Sequence, residues 1–504
     1  MEEFTLHADI QPIQLESGLT LIAPGLVGEG VWHSQLEVDQ SRAFTNQKGN
    51  WDEAVAEAGL EDRHTLAIKA TLQGVEGGEA RSSGDVPNDE LLLQVPLGNQ
   101  EKAFVVYKDQ MGIMSFHYSE SVRGPDLPSQ GAFAARQEQF RIKLRPGQPV
   151  ASGADRGLFG DVTSKIIKVV ILKAFPNQTG KFAARRVKAW EDKYRQFQGF
   201  HGGGWQELLN NCPQRFSDFE AIKGKPSLLF LHGTTSSTFG AFGSLVSFPT
   251  LLERLYSAYG GRVVGFNHHT LNTGVAQNVR DFYDALSEAP GEYVFDIICH
   301  SRGGVVARAL TLLPDALFAS YFGSPWQRPA NVKIKIRRIV FVATPNAGTH
   351  LAIPAKIPGF VERLINVVNM LPDSAATIAT GALLSIAASV AEVTLPLLQG
   401  LADQAPNSDL LHALNSIQAP EYFAFQASFE PSESVFNALK NVTADKLFDE
   451  LKNDLVVPTE GVSNCAAFKL SSEQVIAFGR GDGVYHTNFF SQKRIEKIAD
   501  FLAV

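Results

Sequence analysis

Residues 293–310 read Tyr293-Val-Phe-Asp-Ile-Ile-Cys-His-Ser301-Arg-Gly-Gly-Val-Val-Ala-Arg-Ala-Leu310, and their pattern decides the fold of the carboxyl-terminal half. Val294 to Ile298 is rich in β-branched and aromatic residues and is short enough for a buried strand. Val305, Val306, Ala309 and Leu310 recur at helical spacing, so the chain turns from strand to helix at Ser301. Gly303 and Gly304 remove the Cβ atoms that would hold the new helix away from the strand. A serine at such a corner has its hydroxyl exposed. The N–H of Arg302 then points from a helix N-terminus, where the aligned peptide dipoles favour an oxyanion.

Cys299-His300-Ser301-Arg302-Gly303 resembles the nucleophile elbow, G-x-S-x-G, of the α/β-hydrolase superfamily, with Cys299 where the family usually has its first glycine. The resemblance covers about residues 226–504. It implies an α/β-hydrolase fold, with a mostly parallel sheet, a helical lid and Ser301 as nucleophile. Upstream, Ser227 to Leu231 is a short apolar strand followed at once by His232-Gly233-Thr234, similar to the HG dipeptide of lipase-type hydrolases. On that likeness the N–H groups of Thr234 and Arg302 form the oxyanion hole, with Gly233 the close alternative to Thr234. His232, Gly233 and His300 are the expected substrate-binding residues. His201-Gly202-Gly203-Gly204 has the letters of an esterase oxyanion loop, but residues 194–200 show no strand pattern before it, so it is read as a decoy.

Further strands are expected over Arg262–Phe266, Arg338–Ala343 and Tyr422–Ala427, with helices over Phe239–Leu252, Ala276–Leu286 and Arg494–Leu502. Strand and helix alternating from 227 to 343 is the pattern of a parallel sheet wound with helices. His268 and His269 lack acidic or thiol residues nearby that would make a metal site, and are read as orienting a loop at the site mouth. Asn453-Asp454-Leu455-Val456-Val457-Pro458 resembles the family's acid turn, and His486 lies on a glycine-rich loop before the last helix, where the family places its base. The order Ser301, Asp454, His486 is that of nucleophile, acid and base in these hydrolases. Asp482, four residues before His486, is the competing acid, although its flanking glycines also suit a simple turn.

Residues 1–150 read as an accessory domain of short strands (Phe4–Ile10, Leu19–Ala23, Leu91–Val95, Ala103–Tyr107, Ile113–Tyr118, Phe140–Leu144), a β-sandwich or jelly-roll-like module with an exposed loop over 73–89. Residues 151–225 form a basic connecting segment. Its simple reading is a strand and a solvated helix over 181–198, and its alternative is a peripheral contact with a membrane surface. Residues 354–401 are strongly apolar and fall between two sheet strands, so they are read as a helical cap over Ser301 that suits acyl chains.

A net charge of −8 argues against nucleic acid as a partner. Cys212, Cys299 and Cys465 are too few and too scattered for a disulfide framework or a zinc site. An acidic start, Met1-Glu2-Glu3, without an apolar run behind it points to a cytoplasmic chain. The resulting expectation is a serine hydrolase of lipid-like carboxyl esters that needs no cofactor or metal. The alternative is a hydrolase fold used as a regulatory or partner-binding module, gated by the amino-terminal domain, which is also where a protein partner would dock.

Overall fold

A computed structural model of the chain describes residues 1–7, 11–15, 18–34, 61–72, 90–98, 101–108, 114–119, 136–143, 163–173, 199–202, 215–322, 324–352, 399–414, 421–429 and 451–503. They fall into two compact units, one holding the described residues up to Lys173 and the other those from Gly199 onward.

In the first unit, alternating apolar residues build two antiparallel sheets. β1 (Glu2–Leu6), β4 (Leu26–Ser34), β5 (Glu61–Leu72), β10 (Thr163–Lys173), β7 (Glu101–Lys108) and β8 (Met114–Tyr118) lie side by side in that order. The second sheet is β2 (Ile13–Gln14), β3 (Thr20–Ile22), β6 (Glu90–Leu97) and β9 (Arg136–Lys143). Leu66, Val105 and Val169 from the first sheet share one apolar core with Leu21, Leu93 and Phe140 from the second. That is the two-layer arrangement expected of a β-sandwich. Three strands escape sequence reading: the two-residue β2, and β4 and β5. In β4 the glycines at 28 and 30 interrupt the apolar alternation, yet Gly30 leaves the room the Phe4 ring fills, since a Cβ there would sit 2.1 Å from that ring. In β5 the inward positions Leu66, Ile68 and Ala70 sit among charged and hydroxyl residues.

The second unit is a seven-stranded sheet in the order β11 (Gly199–Gly202), β13 (Val263–Asn267), β12 (Pro226–Leu231), β14 (Gly291–His300), β15 (Val332–Val342), β16 (Glu421–Ala427) and β19 (Val475–Phe478). Every pairing is parallel except that of β11 with β13. The central strands are buried on both faces, which is why they read as continuous apolar runs. Leu228, Phe230, Ile298 and Phe425 face a core shared with the last helix, while Phe266 and Phe295 pack on the opposite side against Phe282. A small hairpin of β17 (Asn464–Cys465) and β18 (Phe468–Lys469) lies outside the sheet. Strand ends are in register, with Leu231 opposite Cys299, His300 opposite Val342 and Ala427 opposite Phe478. The segments that follow β12, β14, β15, β16 and β19 therefore leave from one edge, the carboxyl edge where sheets of this type bind ligands.

Several expected elements are corrected. The continuous helix expected over Phe239–Leu252 is three pieces: α1 (Thr238–Phe242), a 3₁₀ turn (Gly243–Ser247) and α2 (Pro249–Ala258). Pro249 lacks an N–H and tolerates only a first-turn position, so it starts a helix rather than continuing one. The chain then gives α3 (Val275–Leu286), α4 (Arg302–Leu312) and α5 (Asp315–Phe322). After the undescribed stretch come α6 (Gln399–Ala402), α7 (Asp409–Leu414) and α8 (Glu460–Ser463). The expected last helix is a 3₁₀ turn (Lys493–Glu496) running into α9 (Lys497–Phe501). His201 and Gly202 end an edge strand, so residues 199–202 have the strand pairing that their sequence did not reveal.

Of the basic stretch 151–225, Thr163–Lys173 joins the first unit, while Gly199–Gly202 and the turn Phe219–Ile222 belong to the second. The loop over 73–89, the helix over 181–198 and the cap up to residue 398 lie outside the described residues. Among the described residues no single helix is long and apolar enough to cross a membrane.

Candidate active site

The corner at Ser301 is strained, with φ 52° and ψ −129°. A non-glycine residue there costs about 1–3 kcal/mol, and the surrounding packing holds it in place. The Ser301 N–H donates to the Val342 carbonyl at 2.9 Å, and β14 and β15 are paired up to that point. On the helix side a Cβ at Gly303 would come within 2.2 Å of the Leu231 carbonyl oxygen, and one at Gly304 within 2.2 Å of Thr344 Oγ1. The two glycines let α4 start against the strand ends, as their sequence position implied.

Around Ser301 the structure brings together two residues from distant parts of the chain. The Ser301 hydroxyl is 3.0 Å from His486 Nε2, and His486 Nδ1 is 2.9 Å from Asp454 Oδ2. All three side chains are buried, Ser301 included, which corrects the exposed hydroxyl expected at such a corner. A carboxylate only accepts, so Nδ1 carries the proton, and Nε2 is left to accept from the serine hydroxyl. Asp454 is fixed in turn by its own loop, its Oδ1 accepting the N–H groups of Val456 at 3.0 Å and Val457 at 2.7 Å. The His486 N–H donates to the Asp454 carbonyl at 3.0 Å, so the two residues are joined by backbone as well as by side chain. Thr349, from the turn after β15, donates its hydroxyl to the Val456 carbonyl at 2.7 Å and braces the turn that carries Asp454.

Asp482 is placed elsewhere. Its Oδ2 accepts the Gly479 N–H at 2.7 Å and lies 3.8 Å from Arg494, closing its own turn at the surface. This is the turn-shaping role that its glycine neighbours suggested.

Two of the expected substrate-binding residues, His232 and His300, have hydrogen-bond partners within the chain. His232 Nδ1–H donates to the Gly233 carbonyl at 2.9 Å, while its Nε2 accepts the His268 N–H at 3.1 Å, which occupies both ring nitrogens. Burial pushes its pKa down to about 3, and the His268 ring stacks on it with centroids 4.2 Å apart. His300 donates Nε2–H to the His486 carbonyl at 2.8 Å, and burial likewise pushes it down to about 3. Gly233 lies flat against Ser301: a Cβ there would be 2.7 Å from the Ser301 Cβ. Thr234 follows it on the same turn, and Thr235 takes a positive φ of 56°. His268 and His269 support this region, the His269 carbonyl accepting from Asn278 at 3.1 Å.

Sequence reading valued Arg302 for its N–H alone and gave its side chain no role. The guanidinium is fully buried, with Nε 3.1 Å from the Gly400 carbonyl and Nη2 2.8 Å from both the Thr273 carbonyl and Asn278 Oδ1. A buried cation is tolerated only with such partners, and these tie α4 to α3 and α6. Gln404, which no motif singles out, donates to Thr234 Oγ1 at 3.2 Å. No local pattern marks that glutamine, because its partner is 170 residues away.

A family model described as "Domain of unknown function (DUF7379)" matches residues 193–503. The chain belongs to this family. The DUF7379 region takes in Ser301, Asp454 and His486, and leaves the whole β-sandwich outside. No curated protein sequence matches the chain. Among solved structures, the chain is similar to lipase 1 from Pelosinus fermentans at 14% identity and a TM-score of 0.37, over 56% of this chain and 99% of the lipase. It is similar to EstA from Clostridium botulinum at 14% identity and a TM-score of 0.35, over 63% of this chain and 97% of EstA. Phospholipase PlaB from Legionella pneumophila gives 16% identity and a TM-score of 0.28, over 47% of this chain and 45% of PlaB. The match thus spans under half of that phospholipase.

Proposed function

We propose that the chain is a serine hydrolase of carboxyl esters, with Ser301 as nucleophile, His486 as base and Asp454 as the acid that orients it. The observation that carries this reading is the unbroken line of hydrogen bonds from Asp454 through His486 to a serine on a strained strand-to-helix corner. His486 removes the hydroxyl proton as Ser301 attacks the ester carbonyl, and Asp454 stabilises the imidazolium that forms. The N–H groups of Arg302 and Thr234 stabilise the tetrahedral oxyanion, each by about 3 kcal/mol. Collapse expels the alcohol, which takes the proton from His486, and water releases the acid by the same route in reverse.

The acyl group belongs to a lipid-like substrate on this reading. Its support is the apolar stretch of residues 354–401, which contains no charged residue from Ser374 to Ala391. Each acyl methylene enclosed by an apolar cap is stabilised by about 0.8 kcal/mol. The test is labelling with a fluorophosphonate probe and hydrolysis of p-nitrophenyl esters from acetyl to palmitoyl. Wild-type protein is expected to label at Ser301 and Ser301→Ala to lose both labelling and hydrolysis. Hydrolysis retained in Ser301→Ala refutes the assignment, and a preference for acetyl over longer esters refutes the lipid-like substrate.

A further inference from the structure

The two expected oxyanion donors, Arg302 at the start of α4 and Thr234 on the turn after β12, are not adjacent in the chain, so something must hold them in one arrangement. The segment behind them supplies it. Gln404 is buried, and its side-chain Nε2 lies 3.0 Å from the Gly400 carbonyl and 3.2 Å from Thr234 Oγ1. A carbonyl oxygen can only accept, which settles the orientation of the amide: its NH₂ group faces both oxygens, and the Thr234 hydroxyl oxygen accepts from it. The same Gly400 carbonyl accepts Arg302 Nε at 3.1 Å. One carbonyl oxygen therefore joins the residue after the nucleophile, directly, to Thr234, through Gln404.

That carbonyl is itself fixed. The Gly400 N–H donates to the Leu271 carbonyl at 2.9 Å, and Asp403 Oδ2 accepts the Val275 N–H at the start of α3 at 2.6 Å. The Gln404 carbonyl accepts the Thr349 N–H at 2.9 Å, from the turn whose hydroxyl braces the acid loop. On the other side, the Thr234 turn is held by its neighbours: the Thr235 N–H donates to Thr270 Oγ1 at 2.9 Å, and the Thr235 hydroxyl to the Thr234 carbonyl at 2.7 Å. Gln404 holds the Thr234 side chain.

We propose that Gln404 is a positioning residue for the oxyanion side of the site, fixing Thr234 by its hydroxyl so that the Thr234 N–H meets the oxygen of the acyl group attacked by Ser301. The inference rests on the serine-hydrolase reading. Gln404 acts through Thr234, since both hydrogens of its amide are engaged by protein oxygens. Its loss is accordingly felt in the rate of acylation and not in substrate binding, because an oxyanion exists only in the transition state and the intermediate.

The test compares Gln404→Ala, Gln404→Glu, Thr234→Val and the double variant Gln404→Ala/Thr234→Val in the full chain. Each is measured for kcat and KM on a short-chain p-nitrophenyl ester, for the rate of fluorophosphonate labelling, and for its urea midpoint. Gln404→Glu keeps the size of the side chain and replaces the donor by an acceptor, so it reports on the hydrogen bond even where Gln404→Ala fails to fold. Each single variant is expected to lower kcat and the labelling rate about tenfold with KM within about twofold, and the double variant to be no slower than the worse single one. Undiminished kcat in Gln404→Glu, losses that multiply in the double variant, or a lowered urea midpoint with kcat retained would each overturn the role of Gln404 while leaving Ser301 as nucleophile. Wild-type protein that neither hydrolyses the ester nor labels at Ser301 overturns both readings.

Discussion

His300, the residue immediately before Ser301, donates its Nε2–H to the backbone carbonyl of His486 at 2.8 Å. The strand that leads into Ser301 thus holds the backbone of His486, across 186 positions of sequence, while the serine hydroxyl meets the ring of the same histidine. The two rings lie 5.0 Å apart, and Phe490 packs against His300 at 5.9 Å, so the imidazole is enclosed by other rings. Burial keeps His300 neutral, and a neutral ring that donates from Nε2 cannot also present a proton at Nδ1.

The first prediction concerns that hydrogen bond. His300→Leu leaves the His486 carbonyl buried without this donor, at a cost of about 1–3 kcal/mol of stability. The loosened base is expected to lower kcat about tenfold, with KM little changed. His300→Gln, whose amide can donate from a similar position, is expected to recover most of that rate. Equal losses in the two variants would show that the ring shape matters and the donor does not.

A second prediction separates the two carboxylates. Asp454→Asn leaves the geometry nearly intact but removes the acceptor that sets the His486 tautomer, so kcat is expected to fall by at least about 10³-fold. Asp482→Asn touches an exposed turn and is expected to change kcat by less than about twofold. Steady-state rates on one ester decide this, and the reverse ranking would move the acid role to Asp482.

The third prediction follows from the buried histidines. His232 and His300 both have folded pKa values lowered to about 3 by burial, against an unfolded value near 6.5. Between these values the unfolded chain binds protons that the folded chain refuses. The stability these groups contribute is therefore fully present above pH 6.5 and is lost as the pH falls toward 3, with a slope of about 1.4 kcal/mol per pH unit for each group. Urea midpoints are expected to decline steadily from pH 6.5 to 4.5, and to decline less steeply in His300→Gln. An equal slope in that variant would mean that His300 is not refused its proton in the folded chain.

Local patterns marked out much of this site. Pleated apolar runs, the strand-to-helix corner with its two glycines, and the turns carrying Asp454 and His486 all depend on interactions within a few residues, so a single sequence displays them. The same locality explains the misreadings: a short strand at 199–202 takes its pairing from β13 rather than from its own composition, and Pro249 interrupts a helix that apolar spacing alone would continue.

Partnerships across the sheet are another matter. Asp454 and Asp482 are both within reach of His486 on paper, and only the placement of their loops at the carboxyl edge turns one toward the imidazole and the other toward its own turn. Nothing in the sequence shows the backbone oxygens and amide that His232 and His300 hold in the structure. Gln404 carries no mark at all in the sequence. Sequence determined which side chains could do the chemistry, because side-chain type and turn preference are written residue by residue. Tertiary structure decided which of them meet, because the order and register of the strands bring together positions more than a hundred residues apart.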